Sequence, residues 1–154
     1  MQSDLYQFMQ QALVEAEKGY AEGEVPIGAV LATQDGEIVA RAHNQPITLN
    51  DPSAHAEILV MRKAGLVLEN YRLTNTILVI TIEPCLMCMG AALHARIAQV
   101  VFGAADPKAG AAGSVYNLAV DERLNHRIEV TPGIMENECR TLMQNFFKAR
   151  RGSK

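Results

Sequence analysis

The chain has 154 residues, 49% of them hydrophobic and 20% charged, with 14 basic and 17 acidic side chains and a formal net charge of -3. A chain of this size buries roughly two thirds of its unfolded surface, so a single domain spanning 1–154 needs neither disulfide nor metal for stability, and any metal present serves chemistry. The longest apolar runs, such as Ile77 to Ile80 and Val100 to Phe102, fall far short of the ~20 residues of a membrane helix. Met1-Gln2-Ser3-Asp4 has no secretory pattern, and three cysteines are too few and too odd for a disulfide framework. A cytoplasmic protein is expected.

In chain order, Leu5, Phe8, Met9, Ala12, Leu13 and Ala16 recur at helical spacing, with Ser3 placed to cap the helix and Gly19 near its far end. Ile27 to Ala32 and Glu37 to Ala42 are β-prone runs on either side of Asp35-Gly36, which predicts an antiparallel hairpin. After the loop carrying Asn50-Asp51-Pro52, Ser53 is expected to cap a helix running through Ile58, Leu59 and Met61 to Gly65. Thr76 to Ile82 is a continuous apolar, β-branched run suited to a fully buried strand.

Pro84 follows, then a helical composition from Cys85 to Ile97 and a further strand from Gln99 to Ala104. Strand, helix, strand predicts a right-handed parallel crossover. Ala105 to Gly113 reads as a loop, Arg127 to Thr131 as a last strand, and Met135, Cys139, Leu142, Met143 and Phe146 as the buried stripe of a final helix. The sum is a three-layer α/β/α sandwich around a five-stranded mixed sheet. Basic residues gather at the end: from Cys139 onward the chain holds Arg140, Lys148, Arg150, Arg151 and Lys154 with no acid. This is either a solvated helix end or an anion-binding patch.

Chemistry concentrates in His55-Ala56-Glu57 and Pro84-Cys85-Leu86-Met87-Cys88, each opening a helix. Cysteines three apart share a helix face, so their sulfurs can converge. Alone, C-x-x-C also suits thiol redox chemistry. A histidine completes a familiar zinc donor set, in which three protein ligands leave a corner open for water. His94 is rotated off the cysteine face, His43 and His126 lack a paired motif, and Cys139 lies on a buried stripe, where a thiol packs as a small hydrophobe. Glu57 is two residues from His55, and in the first turn the entering chain can bring both side chains to one place. A carboxylate there can move a proton from water to a leaving nitrogen.

With these residues in hand, His55-Ala56-Glu57 followed by Pro84-Cys85-Leu86-Met87-Cys88 resembles the H-x-E and P-C-x-x-C signature of the zinc-dependent nucleoside and base deaminases. The stretches EVPIGAVL, HNQPITLNDPSAHAEI, NYRL, TIEPCLMCMGA, VVFGA, KAGAAGS, NHRIEV and FFKARR extend the likeness to the bacterial tRNA-specific adenosine deaminases over most of residues 24–151. The resemblance implies a cytidine deaminase-like fold, one zinc ion per subunit held by His55, Cys85 and Cys88, and Glu57 as the proton shuttle. It implies that Asn44 contacts the target base, that Asp106 lies beside the flanking nucleotide, and that Phe147 and Arg150 touch the RNA loop. The expected reaction is hydrolysis of adenosine to inosine at the wobble position of a tRNA anticodon stem-loop, by a homodimer with no membrane association. A deaminase of a free base, nucleoside or nucleotide of guanine or cytosine type is the alternative, since the same zinc chemistry serves it. The chain departs from the family in carrying Gly103-Ala104-Ala105 before Asp106, where relatives often place an arginine.

Overall fold

The computed structural model describes residues 2–152, with side chains from Asp4 onward; Lys154 and the side chain of Ser3 lie outside the described residues. The elements are α1 (Gln2–Ala21), β1 (Gly28–Thr33), β2 (Ile38–His43), α2 (Pro46–Leu49), α3 (Ala56–Leu68), β3 (Thr76–Ile82), α4 (Leu86–Ala95), β4 (Gln99–Ala104), β5 (Glu129–Thr131) and α5 (Glu136–Gly152). The strands form one mixed sheet in the order β2-β1-β3-β4-β5. As expected, β1 and β2 pair antiparallel across the Asp35-Gly36 turn, and β3 and β4 pair parallel around α4.

β3 lies at the centre, antiparallel to β1 on one side, and all its residues are buried. Strand alternation sends Leu31, Leu78, Ile80, Val100 and Phe102 into one core cluster with residues of α3 and α4. Val30, Ala32, Ile77, Val79 and Val101 go to the opposite core, with residues of α1 and α5. This is the predicted three-layer α/β/α sandwich. No helix among the described residues is long and apolar enough to cross a membrane.

Three local expectations are corrected. Ser53 does not cap α3: its N–H and hydroxyl both donate to Asp51 Oδ1, and the helix starts later, with His55 at the N-cap. Its far end passes Gly65 and closes at Glu69, in the left-handed region at φ 53°, where the N–H groups of Glu69 and Asn70 both return to the Gly65 carbonyl. The last strand begins at Glu129, because the Ile128 N–H donates to the Ala119 carbonyl outside the sheet. The short α2 was not foreseen. It forms where the buried Glu24 carboxylate accepts the N–H groups of Ile47 and Thr48 and the Thr48 hydroxyl, a partnership too distant in sequence to leave a local pattern.

Helix and sheet approach closely at Gly28, where an added Cβ would sit 1.9 Å from the Ala12 carbonyl oxygen of α1. Only glycine lets α1 lie that near β1. Gly28→Ala is therefore expected to destabilise the protein by about 1–3 kcal/mol, the usual cost of forcing a packed interface apart. Urea unfolding measures it, and an unchanged midpoint would show that α1 does not press on β1 there.

Candidate active site

The two chemistry-bearing segments meet because each opens a helix. His55 is the N-cap of α3 and Cys85 the N-cap of α4, both with extended backbone, and Cys88 lies buried in the first turn of α4. His55 Nδ1 is 3.6 Å from Cys85 Sγ and 3.5 Å from Cys88 Sγ. The three donors form a cluster able to hold one metal ion. A tetrahedral ion with Zn–S of about 2.3 Å and Zn–N of about 2.0 Å spaces sulfur and nitrogen donors about 3.5 Å apart, so the residues fit zinc.

The electrostatics agree with that fit. The Cys88 thiol donates to Cys85, and with His55 beside it Cys85 is pushed down to about 3. Cys88 is pushed up by that same bond to Cys85 and by burial. Left to themselves, the two thiols thus share one negative charge, and a coordinated cation is what allows both to ionise. His55 is raised by its bond to Cys85 against the effect of burial.

Glu57, in the first turn of α3, is only 4% exposed, and its Oε1 has no hydrogen-bond partner. Burial pushes its carboxyl up to about 7. An unpartnered buried acceptor is costly, and groups held so are where chemistry is done. Asn44 is buried next to this turn; its Oδ1 accepts the Ala56 N–H at 2.8 Å and so supplies the helix cap that Ser53 does not. With the oxygen committed, the amide nitrogen is left as a donor.

The remaining expected residues come together elsewhere. Asp106, Phe147 and Arg150 line one groove of about 670 Å³, with Lys108, Arg140 and Arg151 also on its walls. Asn44 is not part of it. Phe147 is 42% exposed, whereas its neighbour Phe146 is buried edge-on against Tyr20, so Phe146 takes the packing role and leaves Phe147 at the surface. Arg150 lies over the Phe146 ring, 4.8 Å from its centroid, and donates to the Gly23 carbonyl. Asp106 Oδ1 caps its own loop, accepting the N–H groups of Lys108 and Ala109. His94 is exposed, His43 lies between Glu15 and Glu22, and His126 bonds the Ile97 carbonyl, so none of them joins the cluster.

Sequence reasoning missed the side chain of Glu83. It is buried and accepts hydrogen bonds from three backbone N–H groups and a hydroxyl. The available signal was an acid directly after the largely apolar, β-branched run Thr76 to Ile82, since an acid in such a position is rarely buried unless paired.

A family model of the cytidine and deoxycytidylate deaminase zinc-binding region matches residues 2–104. The chain belongs to this deaminase family. The deaminase is 47% identical to the tRNA-specific adenosine deaminase of Bacillus subtilis over 153 residues, covering 99% of this chain and 93% of the relative. It is 45% identical to that of Haemophilus influenzae over 146 residues, covering 95% and 84%. A solved structure from work on A-to-I editing by tRNA:A34 deaminases at the wobble position superposes with a TM-score of 0.85 at 43% identity, over 88% of this chain and 98% of that one. The guanine deaminase of Nitrosomonas europaea, at 22% identity, shares the fold with a TM-score of 0.80, over 92% and 83% of the two chains.

The buried Glu57 gives a pH signature in the metal-free deaminase. Its folded pKa of about 7 lies above the ordinary 4.5, so the folded state resists ionisation and loses stability as pH rises between those values. Glu57→Gln is expected to match the wild type near pH 4.5 and to exceed it at pH 8 by up to about 3 kcal/mol. Thermal unfolding of chelator-treated protein at the two pH values reads this, and equal stability at pH 8 would show that the carboxylate is not desolvated.

Proposed function

We propose that this deaminase hydrolyses adenosine to inosine at the wobble position of a tRNA anticodon loop, releasing ammonia. The observation that carries the substrate is the groove that collects Asp106, Phe147 and Arg150 beside Lys108, Arg140 and Arg151, an exposed aromatic ring among cations. Stacking faces and positive charge are what an unpaired RNA loop offers itself to. Near-full-length likeness to relatives named tRNA-specific adenosine deaminase supports the same reading. Of the alternatives, a free base or nucleoside has no use for a basic groove, and a free nucleotide would use only part of it.

His55, Cys85 and Cys88 would hold the zinc, and Glu57 would carry protons. When bound, zinc supplies a water acidic enough to ionise near pH 7. Glu57 is poised for the rest: a carboxyl titrating near neutrality accepts a proton from the attacking water and delivers it to the departing nitrogen. Its unpartnered Oε1 is the atom free to do so. Asn44 both caps α3 and presents an amide donor beside Glu57, where it would orient the base. Phe147 would stack on the loop, Arg150 would fix the end of α5 and meet phosphate, and Asp106 would lie against the flanking nucleotide. The whole of residues 1–154 then acts as one catalytic domain, in the cytoplasm where its substrate is found. A homodimer is part of the reading, with exposed Leu66 and Val67 at the end of α3 and Tyr71 just beyond it supplying an apolar face for it.

Incubation of the zinc-loaded protein with total tRNA, followed by inosine mapping, is expected to find inosine confined to an anticodon wobble position; deamination of free bases with tRNA untouched would overturn the reading. Glu57→Ala is expected to keep one zinc per chain and form no inosine. Each of Lys108→Ala and Arg151→Ala should reduce the salt dependence of tRNA affinity by about 0.7 in log–log slope, the effect of one lost phosphate contact. An unchanged slope would take the RNA off this groove.

A further inference from the structure

The loop that carries Asp106 reaches the hydrophobic core only through the small side chains of Ala111 and Ala112, yet its backbone is tightly organised. Four of its hydrogen bonds converge on a single side chain. Glu83 sits between the end of β3 and Pro84-Cys85, and its N–H is held by the Ala104 carbonyl at 2.9 Å. One carboxylate oxygen, Oε1, accepts the Asp106 N–H at 3.0 Å and the Ser114 hydroxyl. The other, Oε2, accepts the N–H groups of Ala112 and Ser114, each at 3.0 Å. The Ala111 N–H closes the bundle on the Pro84 carbonyl at 2.8 Å. At Gly110 a Cβ would stand 2.3–2.4 Å from the Glu83 carboxylate atoms, so the loop leaves room for this acid and for nothing more.

We propose that Glu83 is a positioning residue for substrate binding: its carboxylate clamps the 105–114 loop to the segment that enters Cys85, and thereby fixes the Asp106 side of the RNA groove relative to the catalytic centre. The inference rests on the RNA-groove reading above. Its chemical basis is that all four groups aimed at Glu83 are donors in this geometry, which only an acceptor-only carboxylate satisfies. A glutamine in its place meets at least one backbone N–H with an NH2 group. The Ser114 hydroxyl can rotate to accept from that NH2, so the amide settles with its nitrogen toward Ser114 Oγ, and the bond lost is the one to the Asp106 N–H. The loop is thus released at the residue that reaches the groove.

The test uses zinc-loaded protein with Glu83→Gln, Gly110→Ala and Ser114→Ala. Gly110→Ala strikes the clamp from the loop side and changes nothing within the zinc-binding motif; Ser114→Ala removes one donor of the four and should give the smallest effect. Three readouts are taken: zinc content, backbone amide exchange across residues 105–114, and KM and kcat on an anticodon stem-loop. In Glu83→Gln and Gly110→Ala we expect faster exchange of the Asp106 amide, full zinc content, and KM raised about tenfold with kcat within about twofold, as befits a lost hydrogen bond to a charged group. Unchanged loop exchange, loss of zinc, or a fall in kcat at constant KM would each overturn the proposal. If the wild type itself made no inosine in any tRNA, the functional reading would fail separately. Exchange would then decide the clamp by itself, faster exchange upholding it and unchanged exchange overturning it.

Discussion

Two helix starts face one another across the end of a buried strand, and between them lie two thiols, an imidazole and a carboxylate. Orphan N–H groups at both helix ends favour negative charge there. They do not neutralise it, and without a cation only one of the two thiols ionises readily. A doubly charged ion at the centre of the three donors removes that conflict, and the donor spacing of 3.5–3.6 Å suits one. Much of the rest of the fold serves this arrangement: the sheet sets the height of Cys85, the parallel crossover sets α4, and Asn44 holds the first turn of α3 in place.

The buried Glu24, Glu57 and Glu83 show how burial separates structure from chemistry. Glu24 and Glu83 each accept several hydrogen bonds and hold a loop or short helix in position. Both lie below the ordinary carboxylate range, because the bonds from Thr48 and Ile47 in one case, and from Ser114, Asp106 and Ala112 in the other, outweigh desolvation. At Glu57 burial outweighs the help of its own backbone N–H, of His55 and of Cys88, one oxygen is left unpartnered, and the carboxyl is raised instead. The same side chain, equally hidden from water, is a structural tie where its acceptors are filled and a candidate acid–base group where one is left open.

The fold leaves substrate choice open. A guanine deaminase at 22% identity shares this fold, so the fold by itself does not say what enters the site. In this chain α5 buries Cys139 in the core on one face of the sheet and Phe146 against Tyr20 of α1, while turning Phe147 and its arginines to a groove shared with the 105–114 loop. Arg150 joins that helix to the turn after α1 through the Gly23 carbonyl, so the groove wall is braced by the body of the protein.

Period and composition determined the central elements: the run Thr76 to Ile82, the Asp35-Gly36 turn and the stripe of α5 are local patterns. The run is wholly buried, the turn is exposed, and the stripe buries Cys139 and Phe146 and half-buries Met135, Leu142 and Met143. Residue types and spacing likewise gave the candidate donor set, because two cysteines three apart and a histidine admit few chemistries. Tertiary structure alone decided where charge is satisfied. Ser53 carried the right local signal for a cap but spent its hydrogen bonds on Asp51, and the cap came instead from Asn44, twelve residues before Ala56. Glu24 met α2 and Glu83 met the 105–114 loop across longer gaps, of 24 and 29 residues. Hydrogen bonds between distant residues leave no period in the chain, since their geometry exists only once the sheet has brought the partners together.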